Sequence, residues 1–260
     1  MNVPAVLCDV ADGVTWWTLN KPAERNPFST DVKEELIKLA RDFVDDERQK
    51  VAVITGGGEF FSAGGDLKVL GSDPTPLDTR RMISRTHAFL RTLYHAEKPV
   101  ITAINGGAVG AGVGLAMAGD IILASDRAWF MSGFPRIGAV PDAGLLYQIV
   151  RAIGLPKARD FLLTNRRIEA VEANANGMVS RIVPHDQLLT VARDLAREIA
   201  DGPRESVGLT RAMLNMTWND TFDGHLLRED LAQATAFSTE DFREGVRALK
   251  EKRKPRYRGT

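Results

Sequence analysis

The chain has 260 residues, 44% of them hydrophobic, enough to bury a substantial core in one large domain or in one domain with an appendage. Its 34 Lys and Arg balance 34 Asp and Glu, which excludes both the broad basic field that draws nucleic acid and the acidic excess of a disordered chain. A lone cysteine, Cys8, excludes an intramolecular disulfide, and no cluster of Cys, His, Asp or Glu has metal-ligand spacing, so no metal is expected. Met1 to Val10 lacks a basic stretch leading into an apolar run, and no segment approaches the roughly 20 apolar residues that a bilayer span needs. A cytoplasmic protein without a membrane partner is expected.

Val14 to Leu19 predicts a strand, residues 30–45 a helix and Val51 to Thr55 a second strand, an α/β alternation. Ser29 and Thr30 are the candidate caps of that helix, and Leu36, Ile37, Leu39, Ala40 and Phe43 form the face that packs on the sheet. Residues 79–95 predict another helix, ended by Lys98-Pro99. Val100 to Ile104 then reads as a buried strand, and Ile121 to Ala124 as another. From about His185 the strand signals nearly stop, and helices are expected over 188–200, 204–216, 224–237 and 241–251. The chain therefore divides into a core, 1–185, and a helical region, 186–260. The pairs Trp16-Trp17 and Phe60-Phe61 are expected in the core, and the basic run Lys250 to Arg258 as a solvated terminus.

Two strands run into glycine-rich turns. Val51 to Thr55 enters Gly56-Gly57-Gly58 and then Phe61-Ser62-Ala63-Gly64-Gly65-Asp66-Leu67. Val100 to Ile104 enters Gly106, Gly107, Gly110, Ala111, Gly112 and Gly114 before an apolar helix over 115–118. Small residues let the backbone approach a ligand, and a helix start presents unpaired amides. Such turns also bind dinucleotide phosphates or permit close packing. Neither turn, however, reads as Gly-x-Gly-x-x-Gly after the first strand with an acidic residue about 20 positions on.

On these turns the sequence resembles the enoyl-CoA hydratase/isomerase (crotonase) superfamily over nearly its whole length. The matching stretches are Thr18 to Asn26, Phe61 to Leu67, Lys98 to Gly106, Gly119-Asp120-Ile121, Glu172 to Val179 and the ending from Glu240 to Pro255. The resemblance implies an α/β fold, a spiral of ββα units with a C-terminal helical trimerisation region, assembled as a homotrimer or a dimer of trimers. It implies an acyl-CoA substrate, with coenzyme A as part of that substrate and no separate cofactor. The oxyanion-hole amides fall on Gly65 and Ala111. The segment Ala63, Gly65, Asp66, Leu67 and Lys68 would hold the adenine and pantetheine parts. Lys252 is expected near a CoA phosphate, and Phe134 in the wall of the acyl site. Asp66 is also expected to cap a short helix over 67–70.

An oxyanion hole makes an α-proton acidic without deciding where that proton goes, and the carboxylates make that choice. Hydratases of the family carry two glutamates at positions that align here with Gly114 and Phe134, neither of which transfers a proton. Pro141-Asp142-Ala143-Gly144 instead resembles the Pro-Asp-x-Gly turn of the isomerase branch, in which the aspartate shuttles a proton. That makes Asp142 the candidate base for a 1,3-proton shift. A competing reading makes Asp142 the N-cap of a helix over about 143–152. Hydration, hydrolysis of a thioester or carbon–carbon bond with Asp142 or His87 activating water, and CoA-thioester binding without catalysis are the other readings. The variable segment 69–80 is expected to shape the acyl pocket.

Overall fold

The computed structural model describes residues 3–66, 68, 71 and 74–259. Among these residues, successive strands through the middle of the chain are dealt alternately to two sheets. The large sheet has the order β1 (Val6–Ala11), β2 (Val14–Leu19), β3 (Val51–Gly56), β5 (Val100–Ile104), β7 (Ile121–Ser125) and β10 (Arg181–Val183). The small sheet has the order β4 (Phe60–Ser62), β6 (Gly107–Val109), β8 (Trp129–Met131) and β9 (Arg167–Glu169). From β2 to β10 the large sheet is parallel, as is β4-β6-β8 in the small one; β1 and β9 join antiparallel at the margins. The repeated strand, corner, strand and helix is the expected ββα spiral.

Strands β3 and β5 are buried along their whole length, because both faces of the large sheet are covered. The pleat sorts their side chains by period two. Ala52, Ile54, Val100 and Ile104 join the main core with Trp17, Phe43, Phe61 and Phe89. Val51, Val53, Ile101 and Ala103 face the other way and meet Leu188, Ala192, Leu195 and Ala196. The main core is covered by α1 (Thr30–Asp45) and α2 (Pro76–His95), the opposite face by α6 (Leu188–Ala200). Between them come α3 (Ala111–Ala116), α4 (Leu145–Thr164) and α5 (Ala170–Ala175). After α6 come α7 (Arg204–Met216), α8 (Phe222–Ser238) and α9 (Glu240–Lys250), with no further strand among the described residues. No helix there is long and apolar enough to cross a membrane.

Several local expectations need correction. Ser29 occupies the N-cap of α1 but its hydroxyl makes no cap bond; it donates to Asp31, which accepts the Val32 amide at 3.0 Å. Helix α2 begins at Pro76, because Thr75 caps it by accepting the Asp78 amide at 3.2 Å and a proline suits a first helical turn. Residues 76–80 of the segment expected to shape the acyl pocket are therefore helix and not loop, and residues 69, 70, 72 and 73 of it lie outside the described residues. Helix α3 starts at Ala111, so Gly112 and Gly114 lie inside it. The aromatic pairs split as alternation on a strand demands. Trp17 and Phe61 are fully buried, whereas Trp16 lies beneath Arg193 at 5.4 Å and Phe60 beneath Arg25 at 5.0 Å.

Lys98 ends α2's linker for a reason the sequence does not display. Its buried ammonium donates to the carbonyls of Phe43, Val44 and Asp46 at 2.6, 3.1 and 2.9 Å, closing the C-terminus of α1. The unpaired carbonyls and negative pole of a helix end favour a cation at that place.

Candidate active site

The first glycine turn is held by the Thr18 to Asn26 segment. The Asn26 side-chain amide donates to the carbonyls of Gly57 and Phe60 at 2.9 and 2.8 Å, and the Asn26 backbone carbonyl accepts from the Ser62 hydroxyl at 2.7 Å. That hydroxyl accepts the Gly64 amide at 3.2 Å. Ala63 donates to the Arg25 carbonyl at 2.8 Å, and Gly64 accepts from the Phe28 amide at 2.6 Å. Asn105, just past β5, receives the Gly56 amide at 3.1 Å and donates to the Gly58 carbonyl at 2.7 Å, so one side chain ties the two turns together.

The turns meet at Gly64. Its φ of +84° is a region that side chains disfavour, and a Cβ there would stand 2.3 Å from the Val109 carbonyl oxygen and 3.2 Å from the Ala111 amide nitrogen. Among the described residues, the amides of Gly65 and Ala111 donate to no protein acceptor. Two free amides thus belong to turns in van der Waals contact, an arrangement suited to gripping one oxygen atom from two sides. The Phe134 ring closes the neighbouring wall: it is buried, and its Cζ would lie 3.8 Å from a Cβ on Gly110.

Asp142 arrives from the third side. Its backbone carbonyl accepts the Leu145 amide at 3.0 Å, but its side chain caps nothing, since Gly144 is the N-cap of α4 and makes no side-chain cap bond. The capping reading is therefore excluded: Ala143 and Gly144 take φ of +51° and +71°, and the helix starts only at Leu145, after Gly144. Its Oδ1 is buried without a hydrogen-bond partner. Burial pushes the carboxyl above its ordinary value, opposed by the positive Lys33 and by His87. Ala143 explains Gly114. A Cβ on residue 114 would stand 2.5 Å from the Ala143 carbonyl oxygen and 2.7 Å from its Cβ, so the Pro141 to Gly144 turn occupies the space that a side chain on α3 would need.

Lys33, on α1, was not among the candidates read from the sequence, and neither was Ala143. Burial lowers the proton affinity of the Lys33 ammonium, and the carboxylates of Asp142 and Asp66 act against that. A signal for Lys33 existed: residues 33, 36, 37 and 40 follow helical spacing, which puts this lysine in line with Leu36, Ile37 and Ala40. Asp66 accepts the Lys68 amide at 2.9 Å; Leu67 and most of the short helix expected over 67–70 lie outside the described residues. Lys68 is exposed and pairs with Glu24 at 2.7 Å. Lys252 is exposed in a left-handed turn after α9. His87 is half-buried on α2.

A cavity of about 920 Å³ opens behind α3, between the spiral and α6 and α7. It meets the site at His87, Gly114, Ala143 and Gly144, but its lining includes neither Gly65, Ala111 nor Asp142. The oxyanion amides and the carboxylate therefore lie outside its lining, and Leu90, Met117 and Val207 make its interior apolar.

The family model for enoyl-CoA hydratase/isomerase matches residues 9–260. The chain is 34% identical to the 1,2-epoxyphenylacetyl-CoA isomerase of Escherichia coli K12 over 98% of each chain. It superposes on the enoyl-CoA hydratase/isomerase of Cupriavidus metallidurans CH34 with a TM-score of 0.93 at 32% identity, covering 100% of this chain and 98% of that one. The enoyl-CoA hydratase of Bacillus anthracis gives a TM-score of 0.94 at 30% identity, with 98% and 100% covered. Isomerase and hydratase names thus stand side by side at this level of similarity. By sequence over nearly its whole length, and by a fold that superposes on solved members, this chain belongs to the enoyl-CoA hydratase/isomerase family.

Proposed function

We propose that the chain is an enoyl-CoA isomerase that shifts a double bond in an acyl-CoA substrate. The amides of Gly65 and Ala111 hold the thioester oxygen as negative charge develops on it, each donor worth about 2.7–4 kcal/mol in the transition state. Asp142 removes a proton from one carbon and returns it to another through the dienolate. The observation that carries this reading is the pairing of one buried, unpartnered carboxylate oxygen with a closed Gly114. A base must have a free lone pair, and burial brings its proton affinity nearer to working pH. Hydration needs a second proton-transfer group, and Gly114 and Phe134 supply none.

The substrate's own coenzyme A is the only accessory group that this chemistry uses. Ala63, Asp66, Leu67, Lys68 and Lys252 are the proposed contacts to it. The exposed apolar residues Leu227 and Leu231 on α8, a helix that buries none of its side chains here, support a homotrimer or a dimer of trimers. We place the protein in the cytoplasm. Conversion of a 3-enoyl-CoA to its conjugated 2-enoyl isomer, followed by absorbance, tests the activity, and Asp142→Asn tests the base. Full activity in that variant would remove Asp142 from the mechanism. A hydrolytic reading draws on His87, which lines the cavity together with Ala143 and Gly144; release of free CoA would separate it from isomerisation.

A further inference from the structure

Ala111 begins a face of α3 that leads away from the two free amides. Ala111, Gly114 and Ala118 are spaced three and four residues apart, so they lie in line along one side of the helix and of the turn that continues it, where Ala118 donates to the Leu115 carbonyl at 3.1 Å. From Ala111 to Ala118 this line rises about 10 Å. It carries no side chain larger than a methyl group, and Gly114 and Ala118 line the cavity of about 920 Å³. The other walls include Leu90 of α2, Leu195 and Ile199 of α6 and Val207 of α7. Beyond Ala118, the polar groups are already partnered. Asp120 pairs with the buried Arg211 at 2.6 Å, Arg211 donates to the Tyr94 carbonyl at 3.3 Å, and the Tyr94 hydroxyl donates to the Asn215 carbonyl at 2.5 Å. Arg91, Arg181 and Glu198, which also line the cavity, are exposed.

We propose that the acyl tail of the substrate runs along this face of α3 and ends in the cavity, which selects medium-length apolar acyl groups over short ones. A thioester oxygen held at the Ala111 amide puts the acyl chain at the start of the line. A four-carbon chain would leave most of a cavity of this size empty, and apolar walls reward the burial of each further methylene. The bare Gly114 keeps the line level between Ala111 and Ala118. The Asp120–Arg211 pair sets the far limit, since an apolar tail has nothing to offer charges that already satisfy one another. Ala118 and Val207 are thereby specificity-determining residues. The inference rests on the placement of the thioester oxygen between Gly65 and Ala111 and is independent of Asp142.

The test is calorimetric binding of saturated acyl-CoA esters, which cannot isomerise, to the full-length protein, in a series from butanoyl-CoA to dodecanoyl-CoA. Affinity is expected to rise about fourfold per methylene, about 200-fold from butanoyl to octanoyl, and then to level off as the tail meets the Asp120–Arg211 pair. Ala118→Phe and Val207→Trp each fill the cavity from a different wall, and whichever retains the wild-type melting temperature is used. That variant should lose most of the gain with tail length. A wild-type affinity that does not rise with tail length, or a gain that survives undiminished in the filled variant, overturns the inference; butanoyl-CoA that still binds in either case leaves the oxyanion site standing. Failure of every ester to bind, butanoyl-CoA included, refutes the oxyanion site and the inference together.

Discussion

An alanine at position 114 should damage the site without touching any reacting atom. Its Cβ would lie 2.5 Å from the Ala143 oxygen, against at least 3.4 Å for ordinary contact, so something must retreat by about 0.9 Å. Helix α3 cannot, because all six of its residues are buried and a Cβ on Gly112 would already stand 2.5 Å from the Ser62 oxygen on the other side. The Pro141 to Gly144 turn must move, and Asp142 moves with it. Overpacking of this kind costs about 1–3 kcal/mol, which in a chain of this size lowers the melting temperature by about 2–12 °C. A base displaced by an ångström loses about 100-fold in rate. Thermal melts and kcat on a 3-enoyl-CoA measure both effects. Ala143→Gly, which removes the Cβ at 2.7 Å but not the oxygen at 2.5 Å, should restore part of each loss. Wild-type stability and kcat in Gly114→Ala would refute the claim that this contact sets the position of Asp142.

Burial holds the Asp142 proton affinity above its ordinary value of 3.8, so its favourable contribution to folding is present below that pH and is lost as pH rises through the folded midpoint. Asp142→Asn should therefore be more stable than wild type at pH 7, with the gap in urea midpoint closing as pH falls towards 3.8; a gap independent of pH would contradict the sign. Lys98→Met strands the carbonyls of Phe43, Val44 and Asp46 and should cost about 2–4 kcal/mol in urea unfolding. A loss below about 0.5 kcal/mol would show that water satisfies those carbonyls equally well. Asn105→Ala releases the Gly56 amide and the Gly58 carbonyl, and should cost about 1–3 kcal/mol and lower kcat more than it raises KM. An unchanged kcat would mean that the glycine turn keeps its shape without that tie.

The parts of the fold legible in the sequence were those that local chemistry encodes. The apolar runs of β3 and β5 announce strands buried on both faces, and the glycines after them mark corners where the backbone approaches closely. The candidates for the site came from motifs: Asp142 from its turn, and Gly114 and Phe134 from the family glutamates with which they align. What stayed hidden were relations between distant segments. Nothing near Gly114 in sequence reveals that Ala143, 29 positions on, fills its side-chain space. The capping expectation for Asp142 failed because two left-handed residues come after it, and Ala143 is not a residue from which such a conformation is read. Lys33 went unnoticed because a lysine among helical charges normally faces water, whereas this one is half-buried against the Phe28 ring.

In the proposed chemistry one carboxylate, Asp142, moves a proton where family members with two glutamates would add water. Incubating a 3-enoyl-CoA with the enzyme in deuterated water and weighing the product separates the two. A conjugated 2-enoyl-CoA with no added water is expected from the wild type, with deuterium on carbon only to the extent that the proton on Asp142 exchanges with solvent, and its formation should be lost in Asp142→Asn. A product heavier by one water, or formation of the isomer at an undiminished rate in Asp142→Asn, would contradict a proton shuttle at this residue.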